Sequence, residues 1–292
     1  PEPPVQIALV KRELLERRLE HFVLSVSAMN KYINCPLAFY YEYILRVPEA
    51  KSDALAFGIS IHYALEQFFR KMNADEQKSF PTKEEIVKDF RYAMKREEVS
   101  FTPLQYERRL EMGEAILHAY YDKYIATFNK VVLTEYNVNQ VTINGVPAKG
   151  KLDKIEFIGR DCIVTDYKTG NPDKASRKEL LGPSEAHPMG GDYWRQMVFY
   201  KLLLDSFPPA FGWRMIEGVF DFVEMNGQNE YVRFTVPIQE HDLVVVREQI
   251  KDVYNRIMKQ EFDKGCNEES CRWCNFAKTY RLTQNTALEK EL

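Results

Sequence analysis

Apolar positions recur at helical spacing through the first 129 residues and then alternate, so the chain reads as a helical front followed by a small sheet. Residues 8–20 form a charged amphipathic stretch. Ser27 is placed to cap a helix running through Ile33, and Pro36 to open the next, Leu37–Leu45. Residues 54–72 are apolar at helical spacing, Thr82 with Glu85 spells a capping box, and 103–129 reads as one long helix. Val131–Val141 alternates like a strand, and Asn144-Gly145 is a hairpin turn signal. Val146–Ile158 and Asp161–Lys168 follow as strands, 191–205 as a helix, Arg214–Glu224 and Tyr231–Pro237 as strands, and 239–262 as a last amphipathic helix. The tail after Asn275 is polar, and no repeat or low-complexity tract interrupts the pattern. The expected class is α/β, a small mixed central sheet flanked by helices with a helical N-terminal elaboration.

One hairpin carries the most chemistry. Gly159-Arg160 fits a two-residue type II′ turn, which puts Ile158 opposite Asp161. Counting outward, Asp153 lies opposite Asp166, and directly opposed residues share a sheet face. Lys168, two residues beyond Asp166, shares that face too. Two opposed carboxylates repel unless a cation lies between them, and Mg²⁺ favours oxygen ligands of this kind. Such an ion polarises a phosphate and activates water, while a neighbouring ammonium stabilises developing negative charge. The arrangement suits phosphodiester hydrolysis. An exposed hairpin of ordinary salt bridges has the same spacing.

Charge and cysteine content narrow this reading. With 292 residues and a net charge of -3, the chain is not a uniformly basic nucleic-acid binder. A metal site needs only local carboxylates, with basic residues along the substrate path. Lys149, Lys151, Lys154 and Arg195 are candidates for that path, as are Lys174, Arg177 and Lys178 in the long loop 170–191. Five cysteines do not make a secreted disulfide scaffold. Three of them cluster as Cys266-x4-Cys271-x2-Cys274, pointing to metal binding in a reducing, cytoplasmic compartment. Cys162 reads as a core residue. No apolar run is long enough to span a bilayer, so no membrane partner is expected. Pro1-Glu2-Pro3-Pro4 shows neither a secretory signal nor an initiator Met, which leads us to expect a chain cut from a longer polypeptide or shorn of leading residues.

Gly150-x-x-Asp153 followed by Asp166-x-Lys168-Thr169-Gly170 resembles the core of the PD-(D/E)XK nucleases, in particular their RecB-like and AddB-like branch. Gly58-x-x-x-His62 resembles that branch's metal-binding helix motif, Gln196-x-x-x-Tyr200 its motif on the helix after the core strands, and Tyr32-x-x-Cys35-Pro36 with Phe39-Tyr40-Tyr41 its opening segment. The resemblance implies a restriction-endonuclease-like core over 24–276, with a helical insertion at about 73–130, an extension at 1–23 and a tail at 277–292. It implies Mg²⁺ or Mn²⁺ held by Asp153, Asp166, His62 and the Tyr167 carbonyl. Lys168 then acts on the attacking water, and Gln196 and Tyr200 contact DNA or support Lys168. Glu135, on the preceding strand, reads as a solvated charge, with a third acidic ligand as the alternative. Cys35, Cys266, Cys271 and Cys274 resemble the ligands of a 4Fe-4S cluster in AddB-like and CRISPR spacer-acquisition nucleases. Their spacing departs from the usual Cys-x2-Cys-x5-Cys, whose third position falls on Tyr280 here, and zinc is the alternative. The expected activity is a DNA exonuclease, the nuclease module of a helicase–nuclease repair or recombination protein. The chain carries no phosphate-binding loop, so a motor would lie in another domain or subunit. The competing reading is a catalytically silent module of the same fold that binds DNA ends or a partner.

Overall fold

The structure is a computed structural model that describes residues 12–175, 177–207 and 212–279. The chain falls into two units. The first joins the residues up to Pro48 to Gln140–Lys149 and to Val244 onward; the second comprises Glu49–Asn139 and Gly150–Leu243. Parts of the expected extension (1–11) and tail (280–292) lie outside the described residues, as does Tyr280.

The second unit is organised around the sheet. Five strands, β1 (Val132–Ile143), β2 (Val146–Ile158), β3 (Asp161–Lys168), β4 (Arg214–Met225) and β5 (Tyr231–Val236), lie in the order β1-β2-β3-β4-β5. Pairing is antiparallel for β2–β3 and β4–β5 and parallel for β3–β4, so the sheet is mixed, as the pattern predicted. A parallel pair needs a crossover, and a helix (Asp192–Asp205) lies within the one joining β3 to β4. The β2–β3 turn has Gly159 at φ +67°, the sign that the first position of a II′ turn requires. Its register, Ile158 opposite Asp161 and Lys154 opposite Thr165, is the one counted from the sequence.

Numbered along the chain, the α-helices are α1 (Arg12–Glu20), α2 (Val26–Asn34), α3 (Pro36–Phe39), α4 (Asp53–Ala74), α5 (Lys83–Arg96), α6 (Pro103–Tyr124), α7 (Asp192–Asp205), α8 (Glu240–Met258) and α9 (Arg272–Thr279). Helix α4 buries Phe57, Ile61, Ala64, Leu65, Phe68 and Met72 along one face, in a core shared with Ile86, Phe90 and Met94 of α5 and Leu117 and Tyr120 of α6. Each large apolar side chain buried there contributes about 2 kcal/mol. The Thr82–Glu85 capping box opens α5 as expected, and Thr102 with Gln105 makes a second one at α6.

Three boundaries differ from the pattern. Ser25, not Ser27, caps α2, because the backbone at Leu24 bridges to Ala148 and leaves Ser25 extended, its hydroxyl accepting from the Ala28 N–H. Helix α6 stops at Tyr124, five residues early: the Thr127 hydroxyl and Asn129 amide bond nearby backbone instead, the side-chain competition that disfavours helix. Helix α8 ends at Met258, and Gln260 takes the left-handed conformation (φ +61°). Residues Tyr40–Leu45 continue α3 as a π-helix rather than an α-helix.

The first unit has its own core. Phe39 packs against the rings of Phe22, Tyr32, Tyr43 and Phe262. A smaller cluster around Cys35, Tyr41, Trp273 and Cys274 holds α9. No helix among the described residues is long and apolar enough to cross a membrane.

Candidate metal-dependent active site

Within the second unit, β2, β3, α4 and α7 bring the expected residues into one cluster. Asp153 and Asp166 lie on the site face of the hairpin, while Lys154 and Thr165 face the core behind it. The Tyr167 N–H donates to Asp153 Oδ2 at 2.9 Å. Helix α4 delivers His62, whose Nδ1 stands 3.4 Å from the same oxygen and which hydrogen-bonds the Tyr167 backbone. Gly58, one turn earlier, passes close to the site strand: a Cβ there would meet Thr169 Oγ1 at 3.1 Å.

The two aspartates sit in different surroundings. Asp166 is met by protein donors. Lys168 Nζ pairs with its Oδ2 at 2.7 Å, and Gln196 Nε2 donates to its Oδ1 at 2.6 Å and to the Tyr200 hydroxyl at 2.9 Å. Gln196 and Tyr200 are one turn apart on α7, which is what lets both reach the aspartate. Thus the pair supports Asp166 directly, and Lys168 only through it. Burial opposes charge on Lys168, yet the Asp166 carboxylate outweighs it and raises the ammonium's pKa. The stem of Lys168 is flanked by Tyr193 and Phe220, with Nζ 4.8 and 5.0 Å from the ring centres.

Asp153 is met less well. Burial and then the Asp166 charge push its carboxyl well above the usual carboxylate range, against the opposing Tyr167 N–H. Burial pulls His62 down, with the Asp166 and Glu135 charges opposing. Burial lifts the Tyr200 phenol well above its ordinary value.

Glu135 joins this cluster. One ligand atom each from His62, Glu135 and Asp153 lie within 4.8 Å of one another. Glu135 sits in β1 at φ +51°, the left-handed region that a strand residue with a side chain avoids. That conformation costs about 1–3 kcal/mol and is typical of strain held at functional sites. Glu135 also pairs with Lys151. The solvated-charge expectation for Glu135 was therefore the weaker one. Its sequence signal was an acidic residue on the strand beside β2; the backbone twist that turns it inward has no sequence signature. The cluster opens into a cleft of about 680 Å³, to which Glu66 and Arg96 also contribute.

Two of the expected phosphate contacts are overturned. Lys154 is 1% exposed and pairs with Glu156 at 2.5 Å, its ammonium ringed by Phe69, Phe128 and Tyr167. Arg195 is fully buried, bound to Asp192 and to the carbonyls of Met189 and Gly190. Neither reaches solvent. Lys149, Lys151, Lys174, Arg177 and Lys178 are exposed.

The four expected cysteines converge within the first unit. Cys35 Sγ lies 3.7 Å from that of Cys274 and 4.0 Å from that of Cys271, and Cys266 lies 3.8 Å from Cys274. Cys162 is buried in the sheet, as a core residue should be.

The family model for the PD-(D/E)XK nuclease superfamily matches residues 23–279, most of the chain. The chain belongs to the PD-(D/E)XK nuclease superfamily. Its members use divalent metals, and the His62, Glu135 and Asp153 donors are chemically suited to one. Among solved structures, one from Eubacterium rectale described as "Putative exonuclease" is 14% identical over 90% of each chain, with a TM-score of 0.52. At that identity the likeness supports the fold alone. The structure of SSO0001 is also 14% identical, over 87% of each chain, at a TM-score of 0.34, too low to add to the comparison. No curated protein matches the sequence.

Proposed function

We propose that this chain is a Mg²⁺- or Mn²⁺-dependent deoxyribonuclease, acting as an exonuclease that hydrolyses phosphodiester bonds from DNA ends. The observation that carries the reading is the convergence of His62, Glu135 and Asp153 beside a lysine held on Asp166. When bound, the divalent ion polarises the scissile phosphate and lowers the pKa of water. The side chains do the rest. Asp153, Glu135 and His62 hold the ion, with the Tyr167 carbonyl and Asp166 at its edge. Lys168 Nζ, kept protonated by Asp166, orients the attacking water and stabilises charge that develops on the phosphate. Gln196 and Tyr200 fix Asp166 and so fix Lys168. Lys149 and Lys151, with the loop cations Lys174, Arg177 and Lys178, receive DNA phosphates.

In this reading the chain works beside a helicase domain or subunit in repair or recombination, in a reducing cytoplasm where its cysteines are not oxidised to disulfides. The four clustered cysteines hold a metal centre that ties α2 and α3 to the C-terminal segment. The test is degradation of linear and circular DNA by the chain with Mg²⁺, Mn²⁺ or EDTA, beside Asp166→Ala. Metal-dependent loss of linear DNA, absent in the variant and absent on circles, is the expected result. DNA binding without cutting, by both the chain and its helicase-bearing parent, would instead establish a silent end-binding module.

A further inference from the structure

The resemblance described above leads to a 4Fe-4S cluster at the four cysteines, and their geometry disagrees. In a cubane each thiolate binds its own iron, with iron and sulfide of the cube in between. The thiolate sulfurs are therefore held further apart than the 4.8 Å that encloses all four here. A single ion at the centre of four thiolates has the opposite consequence. With metal–sulfur bonds of about 2.3 Å, tetrahedral geometry sets the sulfurs about 3.8 Å apart. The separations are 3.7, 3.8 and 4.0 Å.

One wall of the site is tightly closed. Gly265 is pressed against the site: a Cβ there would stand 2.6 Å from Cys274 Sγ, with Leu37 Cδ2 at 3.6 Å. The backbone is arranged around sulfur as well. The Ala38 and Cys266 N–H groups both donate to Cys35 Sγ at 3.4 Å. The Glu268, Cys274 and Asn267 N–H groups point at Cys266, Cys271 and Cys274 in turn. Asn267 takes φ +60° directly after Cys266, a turn that aims successive N–H groups at one point. Amide donors of this kind offset the negative charge that four thiolates leave around a divalent ion. The departure of the spacing from the iron–sulfur pattern agrees: Cys266 lies ahead of the Cys271-x2-Cys274 pair, and no cysteine stands where the third position falls.

We propose that Cys35, Cys266, Cys271 and Cys274 form a closed tetrahedral site for one divalent ion, zinc, and not an iron–sulfur cluster. The site is structural. All four positions are filled by protein, so no open place is left for water or substrate. It clasps α9 and the 265–271 segment to α3, beside the small apolar cluster around Trp273 and Tyr41. The inference rests on the reading that the cysteines hold a metal, and its test separates the two.

The full chain, purified without oxygen from cells supplied with both iron and zinc, is assayed for metal and acid-labile sulfide. It is then exchanged with Co²⁺. About one zinc per chain, no sulfide and no broad brown absorption are expected, and Co²⁺ should give the intense red-region bands of a tetrahedral thiolate site. Cys271→Ser should lower zinc content and the unfolding temperature together. Four irons and four sulfides per chain would overturn the single-ion site while sparing the metal reading. Four freely titratable thiols in a folded chain that takes up no Co²⁺ would overturn both. None of these readouts depends on nuclease activity.

Discussion

Asp153→Asn should make the metal-free protein more stable and destroy its activity. In the absence of an ion, the Asp153 carboxylate is largely shielded from water and faces the Asp166 and Glu135 charges; the Tyr167 N–H bonds it, His62 Nδ1 stands 3.4 Å off, and Lys168 attracts it without a direct bond. At an effective dielectric of about 20, a like-charged pair about 4 Å apart costs about 4 kcal/mol. Part of that is offset by attraction to Lys168, which the variant also loses. An Asn oxygen keeps the bond from Tyr167, so the substitution removes charge without opening a cavity. The expected net gain is about 1–2 kcal/mol, which for a body of this size raises the midpoint by about 2–8 °C. Thermal unfolding in EDTA reads it directly. The pH dependence has a definite sign. The folded carboxyl holds its proton to higher pH than the unfolded one, so the penalty is absent below the unfolded value of about 4 and grows as pH rises toward the folded value. The two proteins should therefore converge in stability as pH falls toward about 4 and separate near neutrality. Adding Mn²⁺ should raise the wild-type midpoint and leave that of the variant unmoved. A variant that melts below wild type in EDTA at pH 7 would refute the reasoning, since it would show Asp153 to be satisfied by the protein alone.

Lys168→Ala should cut the rate about 100- to 1000-fold, as loss of a preorganised charge does, while calorimetry shows Mn²⁺ still binding; loss of metal affinity instead would make the lysine an architectural group. Gln196→Glu sets a carboxylate where a donor now meets Asp166 at 2.6 Å, so it should cost more activity than Gln196→Ala under single-turnover conditions. Lys154→Ala leaves Glu156 without its buried partner and opens space between three rings, so urea unfolding should show a loss of about 3–5 kcal/mol, with DNA affinity at permissive temperature unchanged. Gly113→Ala drives a methyl to within 2.1 Å of the fully buried Phe90 ring; overpacking of about 1–3 kcal/mol outweighs the helix-propensity gain of about 1 kcal/mol, and a raised melting temperature would contradict that balance.

The hairpin was legible because a glycine-first two-residue turn fixes register, and register alone decides which side chains share a face. From Gly159 the count to Asp153 and Asp166 is arithmetic. Three of the cysteines were legible as a group because thiols so close along a chain are scarce, and Cys35 joined them only through the family resemblance; what they hold is a matter of sulfur separations, which spacing does not encode. Glu135 was legible only as the alternative, because its left-handed backbone within a strand is a conformation that tertiary contacts impose against local preference. Lys154 and Arg195 misled for a related reason. A cation is assumed to be at the surface, and only the packed structure reveals rings and a carboxylate around one, and two carbonyls and Asp192 around the other.

The contrast between the two aspartates explains why the site needs both. Asp166 pairs with Lys168 and accepts from Gln196, and in the proposed mechanism it holds the ammonium in place. Asp153 receives the Tyr167 N–H and has His62 Nδ1 3.4 Å away, yet it faces the Asp166 and Glu135 charges. Among the described residues Glu135 pairs with Lys151, an exposed cation whose pull is screened by solvent. Carboxylate charge is thus gathered where Asp153, Glu135 and His62 converge, beside a lysine paired with Asp166. In the proposed mechanism His62, Glu135 and Asp153 would hold a divalent ion, and Lys168 would offer a second positive charge to a phosphate entering the cleft. A hairpin that merely paired its charges into salt bridges would have satisfied Asp153 as fully as Asp166, and the asymmetry favours the proposed metal site over a solvated charge network.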